Sequence, residues 1–176
     1  LLVSFSSAAF ANDSYLAVPV AYQSINAMKK ILVSKTQTDL RDRGEAHITV
    51  LGPEEVRAIA PFVSMAQIKN EASKAMIYGA PIQPLCVGHG QASDSEVYFV
   101  VVSAPELLKF RVMLQQTYQI PSSAFKAAEF YPHITIGFTH RDLFPQDGVI
   151  KDQNSCRFSL NEIGVNLSAL NGQHLN

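Results

Sequence analysis

Charge is scarce in this chain. Asp, Glu, Lys and Arg make up 16% of its 176 residues against 47% hydrophobic, and the formal net charge is −1. That balance excludes a disordered polyelectrolyte and fits a globular chain. Its Lys and Arg are scattered, densest at Lys29-Lys30 and Arg41-Asp42-Arg43, and form no basic face. Because neutralising backbone phosphates dominates nucleic-acid affinity, no long nucleic-acid tract is expected as a partner. Cysteine is almost missing too. Cys86 and Cys156 stand alone, there is no C-x-x-C, and no two histidines are four apart as on a zinc helix. No metal and no cofactor are therefore expected. The G-x-S-x-G elbow of serine hydrolases is also lacking. No apolar run reaches the length needed to span a bilayer, so no membrane partner is expected.

What is present is a repeated tetrad. His47-Ile48-Thr49-Val50 recurs 86 positions later as His133-Ile134-Thr135-Ile136, using two of only five histidines. Alternation and β-branching predict a strand for each copy, with His and Thr on one face about 6.5 to 7 Å apart. The apolar pair anchors the other face. One copy alone reads as an ordinary half-buried strand, since β-branched runs are good strand formers. A merely structural strand, however, has no reason to repeat its histidine and its threonine at matched positions. Two such strands facing one cleft would supply what metal-free cleavage of a phosphodiester requires. A neutral imidazole takes a proton from the attacking oxygen, and a protonated one gives a proton to the departing oxygen. Both threonine hydroxyls can donate to phosphoryl oxygens, and loss of either is expected to remove about 2 to 4 kcal/mol of transition-state stabilisation.

The two tetrads, with Leu51-Gly52-Pro53-Glu54-Glu55 after the first and Tyr131-Pro132 before the second, resemble the 2H phosphoesterase superfamily. That superfamily includes RNA 2′,3′-cyclic phosphodiesterases, 2′-5′ RNA ligase-like proteins and 2′,5′-oligonucleotide phosphodiesterases. The resemblance runs from about Tyr15 to the last strand, and its specificity lies in the tetrads and their separation. It implies that His47 and His133 are the catalytic imidazoles and that Thr49 and Thr135 hold the phosphate. It also implies an α+β fold, a bilobal pseudo-twofold duplication in which two small antiparallel sheets line a central cleft with helices outside. The expected function is metal-independent hydrolysis of a 2′,3′-cyclic phosphate or a related small cyclic or 2′-5′ linked nucleotide. A binding module that holds a nucleotide without cleaving it, and 2′-5′ end-joining of RNA, remain open. The expected partner is a small nucleotide or an RNA 2′,3′-cyclic phosphate end, bound by a monomer.

Leu1 to Ala11 is apolar and closes in Ala9-Phe10-Ala11, a small-x-small pattern that reads as a signal-peptide remnant. A first strand or an apolar remnant is the alternative. On the signal reading, residues 12–176 form one bilobal domain that is periplasmic or secreted; otherwise the chain is cytoplasmic. The two cysteines permit one disulfide in an exported protein, or two buried thiols, which their apolar, strand-like neighbourhoods favour.

Periodicity predicts a strand at Tyr15–Ala21, a helix from a Ser24 cap to Thr38, and the first motif strand at Glu45–Leu51. Helices follow at Pro53–Ile59 and Phe62–Ile77. A hairpin comes next, with strands Ile82–Gly88 and Val97–Val102 and a polar loop Gly90–Ser95. After it come a helix from Pro105 to Tyr118, the second motif strand at Tyr131–Phe138 and a closing strand within Arg157–Leu167. By strand parity Tyr131 shares the His133 face and is a candidate to bind substrate by stacking. Glu45 shares the His47 face but reads as a solvated charge. His89 reads as an exposed loop residue, His140 and His174 as surface residues, and Arg141 and Lys126 as minor candidates for phosphate contact.

Overall fold

A computed structural model describes residues 14–164. The apolar segment 1–11 and His174 lie outside the described residues. Among these residues six strands and four α-helices form an α+β fold with two antiparallel sheets: β1 (Leu16–Pro19) pairs with β2 (His47–Leu51), and the second sheet has the order β5-β4-β3-β6. Its members are β3 (Gln83–Ala92), β4 (Ser95–Ser103), β5 (His133–Phe138) and β6 (Cys156–Phe158). The helices are α1 (Tyr22–Thr36), α2 (Pro53–Ile59), α3 (Met65–Lys74) and α4 (Pro105–Thr117).

The expected duplication has a counterpart in the strand registers. In each lobe a strand, a helix and a motif strand follow in order, and the motif strand pairs antiparallel with the strand before the helix. His47, Ile48 and Thr49 oppose Pro19, Val18 and Ala17. His133, Ile134 and Thr135 oppose Val101, Val100 and Phe99 in the same descending sense. Because side chains alternate across a strand, Ile48, Val50, Ile134 and Ile136 are driven into one core, each at most 1% exposed. The His and Thr of each tetrad are left on the opposite, half-buried face. β2 and β5 then pack against each other without sharing a hydrogen-bonded ladder. The two sheets are unequal, two strands against four.

Several boundaries differ from the sequence expectation for local reasons. α1 starts at Tyr22 behind Ala21, ahead of Ser24, and stops at Thr36 where Gln37 turns left-handed. α3 is shorter than Phe62–Ile77 because Ser64 and Gln67 form a capping box: Gln67 N donates to Ser64 Oγ and Ser64 N to Gln67 Oε1. Phe62 is left outside the helix and 41% exposed. The hairpin is also longer than expected, since β3 runs through Gly88 and Gly90 up to a turn at Ser93-Asp94. These glycines are close-approach positions: a Cβ on Gly88 would lie 2.3 Å from the Phe99 ring. His89 is accordingly a strand residue and not a loop residue. Its Nε2 faces Glu96 Oε2 at 3.0 Å and its Nδ1 accepts from Arg157 at 3.3 Å.

The expectation of two buried thiols is corrected. Cys86 and Cys156 form a disulfide, because the pairing of β3 with β6 sets Gly88 opposite Cys156 and brings the two cysteine Cα atoms to 5.8 Å. That separation lies inside the bridging range. Arg111 is a second feature hidden in the apolar pattern of α4. It is 1% exposed and lies between the Phe125 and Phe130 rings. Its guanidinium donates to both Glu55 carboxylate oxygens and to the Val50 and Ala127 carbonyls. Glu55 also accepts from Gly52 N at 2.9 Å. One buried cation thus ties the end of β2, the start of α2 and the approach to β5 together.

Candidate active site

His47 and Thr49 from β2 and His133 and Thr135 from β5 line one cleft of about 370 Å³. Its walls also include Tyr15, Phe138 and Phe144. The four tetrad residues lie 84 or more positions apart between copies in the chain, and the strand pairings above bring them to a common face.

The two imidazoles differ in what stands behind them. Glu45 Oε1 lies 3.5 Å from His47 Nδ1, and Glu45 is a cleft residue, correcting the solvated-charge expectation. The Tyr15 ring is tilted against His47 with centroids 5.8 Å apart. Burial lowers the His47 pKa below the usual histidine value, with Arg43 adding to the fall and Glu45 opposing it. On the other strand His133 Nδ1 donates to the Tyr131 carbonyl at 2.8 Å, since a carbonyl can only accept. The Phe99 ring meets His133 edge-on at 5.9 Å. Burial, then the Lys151 ammonium, push His133 down to about 4. It is therefore neutral at neutral pH, with its proton on Nδ1 and the lone pair on Nε2.

The threonines differ as well. Thr135 Oγ1 donates to Asp142 Oδ2 at 3.4 Å, whereas Thr49 makes no side-chain hydrogen bond among the described residues. Asp142 is a hub: it also accepts from Lys151 Nζ at 2.7 Å, from Leu143 N at 2.9 Å and from Arg43 Nη2 at 3.3 Å. Asp142 and Lys151 are both buried, at 6% and 4% exposure. Sequence periodicity does not reveal this group, because Asp142 and Lys151 lie outside the helices and strands and Arg43 meets Asp142 across 99 positions.

A family model, the Swiss Army Knife 2H phosphoesterase domain, matches residues 14–144. The chain belongs to this family. It is a phosphoesterase of the 2H superfamily, and both tetrads of the cleft fall inside the matched segment. No curated protein matches the chain.

The remaining candidates of this 2H phosphoesterase are placed elsewhere. Tyr131 is 41% exposed and borders a second cavity of about 310 Å³; its carbonyl accepts from His133. Tyr131 precedes the first β5 residue by two, and Pro132 between them leaves strand parity without force there. Arg141 is engaged by both oxygens of Asp147, at 2.9 and 2.7 Å, and Lys126 by Glu129 at 2.7 Å, and neither lines the cleft. His140 is exposed, as expected. Among the described residues no three His, Cys, Asp or Glu side chains gather as a metal-ligand set, and no helix is long and apolar enough to cross a membrane.

Proposed function

We propose that this 2H phosphoesterase hydrolyses a 2′,3′-cyclic phosphate, or a related small cyclic or 2′-5′ linked nucleotide, without a metal. The observation that carries the reading is the convergence of both histidines and both threonines on one cleft. The cleft volume falls in the range of small-ligand sites, and three aromatic rings on its wall suit a nucleoside. The modest net charge favours a small nucleotide or an RNA end over a polymer.

The environments of the two histidines support a division of roles. His133, neutral with Nε2 unprotonated, takes a proton from water as its oxygen bonds to phosphorus. His47, whose imidazolium is favoured by Glu45 and by the incoming phosphate anion, gives a proton to the ribose oxygen as the P–O bond breaks. Thr49 and Thr135 donate to the nonbridging oxygens, where charge shifts in the transition state.

The test is turnover of nucleoside 2′,3′-cyclic phosphates and 2′-5′ dinucleotides in EDTA, followed by phosphorus NMR, for the wild type, His47→Ala and His133→Ala. Each variant is expected to lose about 10²- to 10⁴-fold in rate while keeping its melting temperature. Activity surviving either substitution sinks the two-histidine mechanism, and nucleotide binding without turnover sinks the hydrolase reading in favour of a binding module.

The Cys86–Cys156 disulfide supports an oxidising compartment, in line with the export reading of residues 1–11. Peptide mapping under non-reducing conditions that recovers two free thiols would remove that support.

A further inference from the structure

The cleft must hold an anion, yet it is lined by three carboxylates, Asp42, Glu45 and Asp142. Two are already neutralised from behind. Asp42 is paired with Lys29, and Asp142 with the buried Lys151. The third, Glu45, faces His47. Among the cleft-lining residues one permanent cation remains, Arg43, with a side chain 48% exposed. Its single side-chain hydrogen bond among the described residues, to Asp142 Oδ2 at 3.3 Å, is longer than the 2.7 Å bond Lys151 makes to the same carboxylate. The guanidinium is thus tethered at one nitrogen, with the rest of its donor fork open to the cleft.

Its backbone is fixed in advance. On one side Arg41 exchanges two hydrogen bonds with Phe138 at the end of β5, at 2.8 and 2.9 Å. On the other, Asp42 Oδ1 accepts from Gly44 N at 2.7 Å, closing a turn in which Gly44 takes φ +72°. Arg43 therefore stands between the two motif strands, over the Phe138 ring at 6.0 Å. A buried Asp–Lys pair is a poor way to gain stability, because desolvating two charges offsets their attraction. As a means of aiming a third group it is effective: the 2.7 Å bond from Lys151 fixes the Asp142 carboxylate in place, and the carboxylate holds Arg43 through a single longer bond of 3.3 Å.

We propose that Arg43 binds a phosphoryl oxygen of the substrate, and that Asp142, locked by Lys151, is a positioning residue that holds Arg43 over the cleft. This rests on the cleft being the phosphate site, and the experiment separates the two. Inorganic phosphate and adenosine 2′- and 3′-monophosphate are titrated by phosphorus NMR into the wild type, Arg43→Gln and Arg43→Lys. Arg43→Gln is expected to weaken binding about 10- to 100-fold, the range for a charge-assisted hydrogen bond, and Arg43→Lys to restore part of it. Wild type that binds no phosphate overturns both the site and this proposal; wild type and Arg43→Gln binding alike overturn the proposal alone. Because Asp142→Asn would strand a buried ammonium, positioning is tested in Asp142→Asn with Lys151→Met, checked for an unchanged melting temperature. Adding Arg43→Gln to that pair should weaken binding no further than Arg43→Gln does by itself. Losses that simply multiply, as for independent lesions, would exclude the positioning role.

Discussion

The two halves of the cleft carry nearly the same tetrad in the same strand register, and yet they present their side chains differently. In the first half His47 is backed by a carboxylate at 3.5 Å, and the Thr49 hydroxyl has no side-chain partner among the described residues. In the second, His133 is backed by a neutral carbonyl with Lys151 close by, and Thr135 is drawn toward Asp142. The repeated strand supplies the histidines and threonines of the cleft, and the segments around it, which are not repeated, give the two imidazoles different surroundings. On the proposed mechanism the acid and base roles would be set by Glu45, Tyr131 O, Asp142 and Lys151, none of which lies in a tetrad.

The largest effect that breaks this comparison is expected at the threonines. Thr49 can donate to a phosphoryl oxygen at once, so Thr49→Ala should lose about 2 to 4 kcal/mol of transition-state stabilisation in kcat/KM. Thr135 has one proton and in the free protein directs it to Asp142, so its bond to phosphate is gained against a bond given up. Thr135→Ala should therefore lose less, about 1 to 2 kcal/mol, near the net value of an exchanged hydrogen bond. Equal losses, or a larger one at Thr135, would show that the Asp142 contact does not survive in solution.

What the chain alone reveals is whatever depends on neighbours in sequence. The span Pro53–Ile59, the helix begun by Pro105 and both motif strands follow from proline placement and periodicity, and they locate the four cleft side chains. What was hidden depends on partners far away. Gly90 looks like a loop glycine, but it makes room for a side chain of another segment, Val149. Arg111 sits in an apolar helix, and its meaning comes from Glu55, 56 positions earlier. The disulfide joins residues 70 apart, and Asp142 meets Arg43 across 99. Glu45 was on the correct face by parity; what the chain could not show was a histidine side chain turning its Nδ1 toward it.

A middle-sized effect is expected at Glu45. Its carboxylate favours the His47 imidazolium, so Glu45→Gln should let that pKa fall further. If His47 is the acid, activity on the alkaline side is lost as it deprotonates, and the basic limb of the kcat/KM profile should move to lower pH. The rate at neutral pH should fall about tenfold, near one pKa unit of differential stabilisation. An acidic limb that moves while the basic limb stays would exchange the roles of the two histidines.

A further effect concerns stability and separates the half-sites without any substrate. His133 titrates at about 4 when folded and near 6.5 when unfolded. Between these values the unfolded chain binds the proton that the folded one refuses. Stability therefore rises with pH across this window, and it is lost as pH falls from about 6.5 toward 4. The slope from one such group is at most about 1.4 kcal/mol per pH unit. His47, also lowered but opposed by Glu45, contributes in the same direction and should contribute less. Urea midpoints measured at several pH values across the window should fall less steeply for His133→Asn than for wild type, and His47→Asn should lie between them. If His47→Asn flattens the curve more, the deeper desolvation belongs to the first half, and the assignment of His133 as the base loses its electrostatic ground.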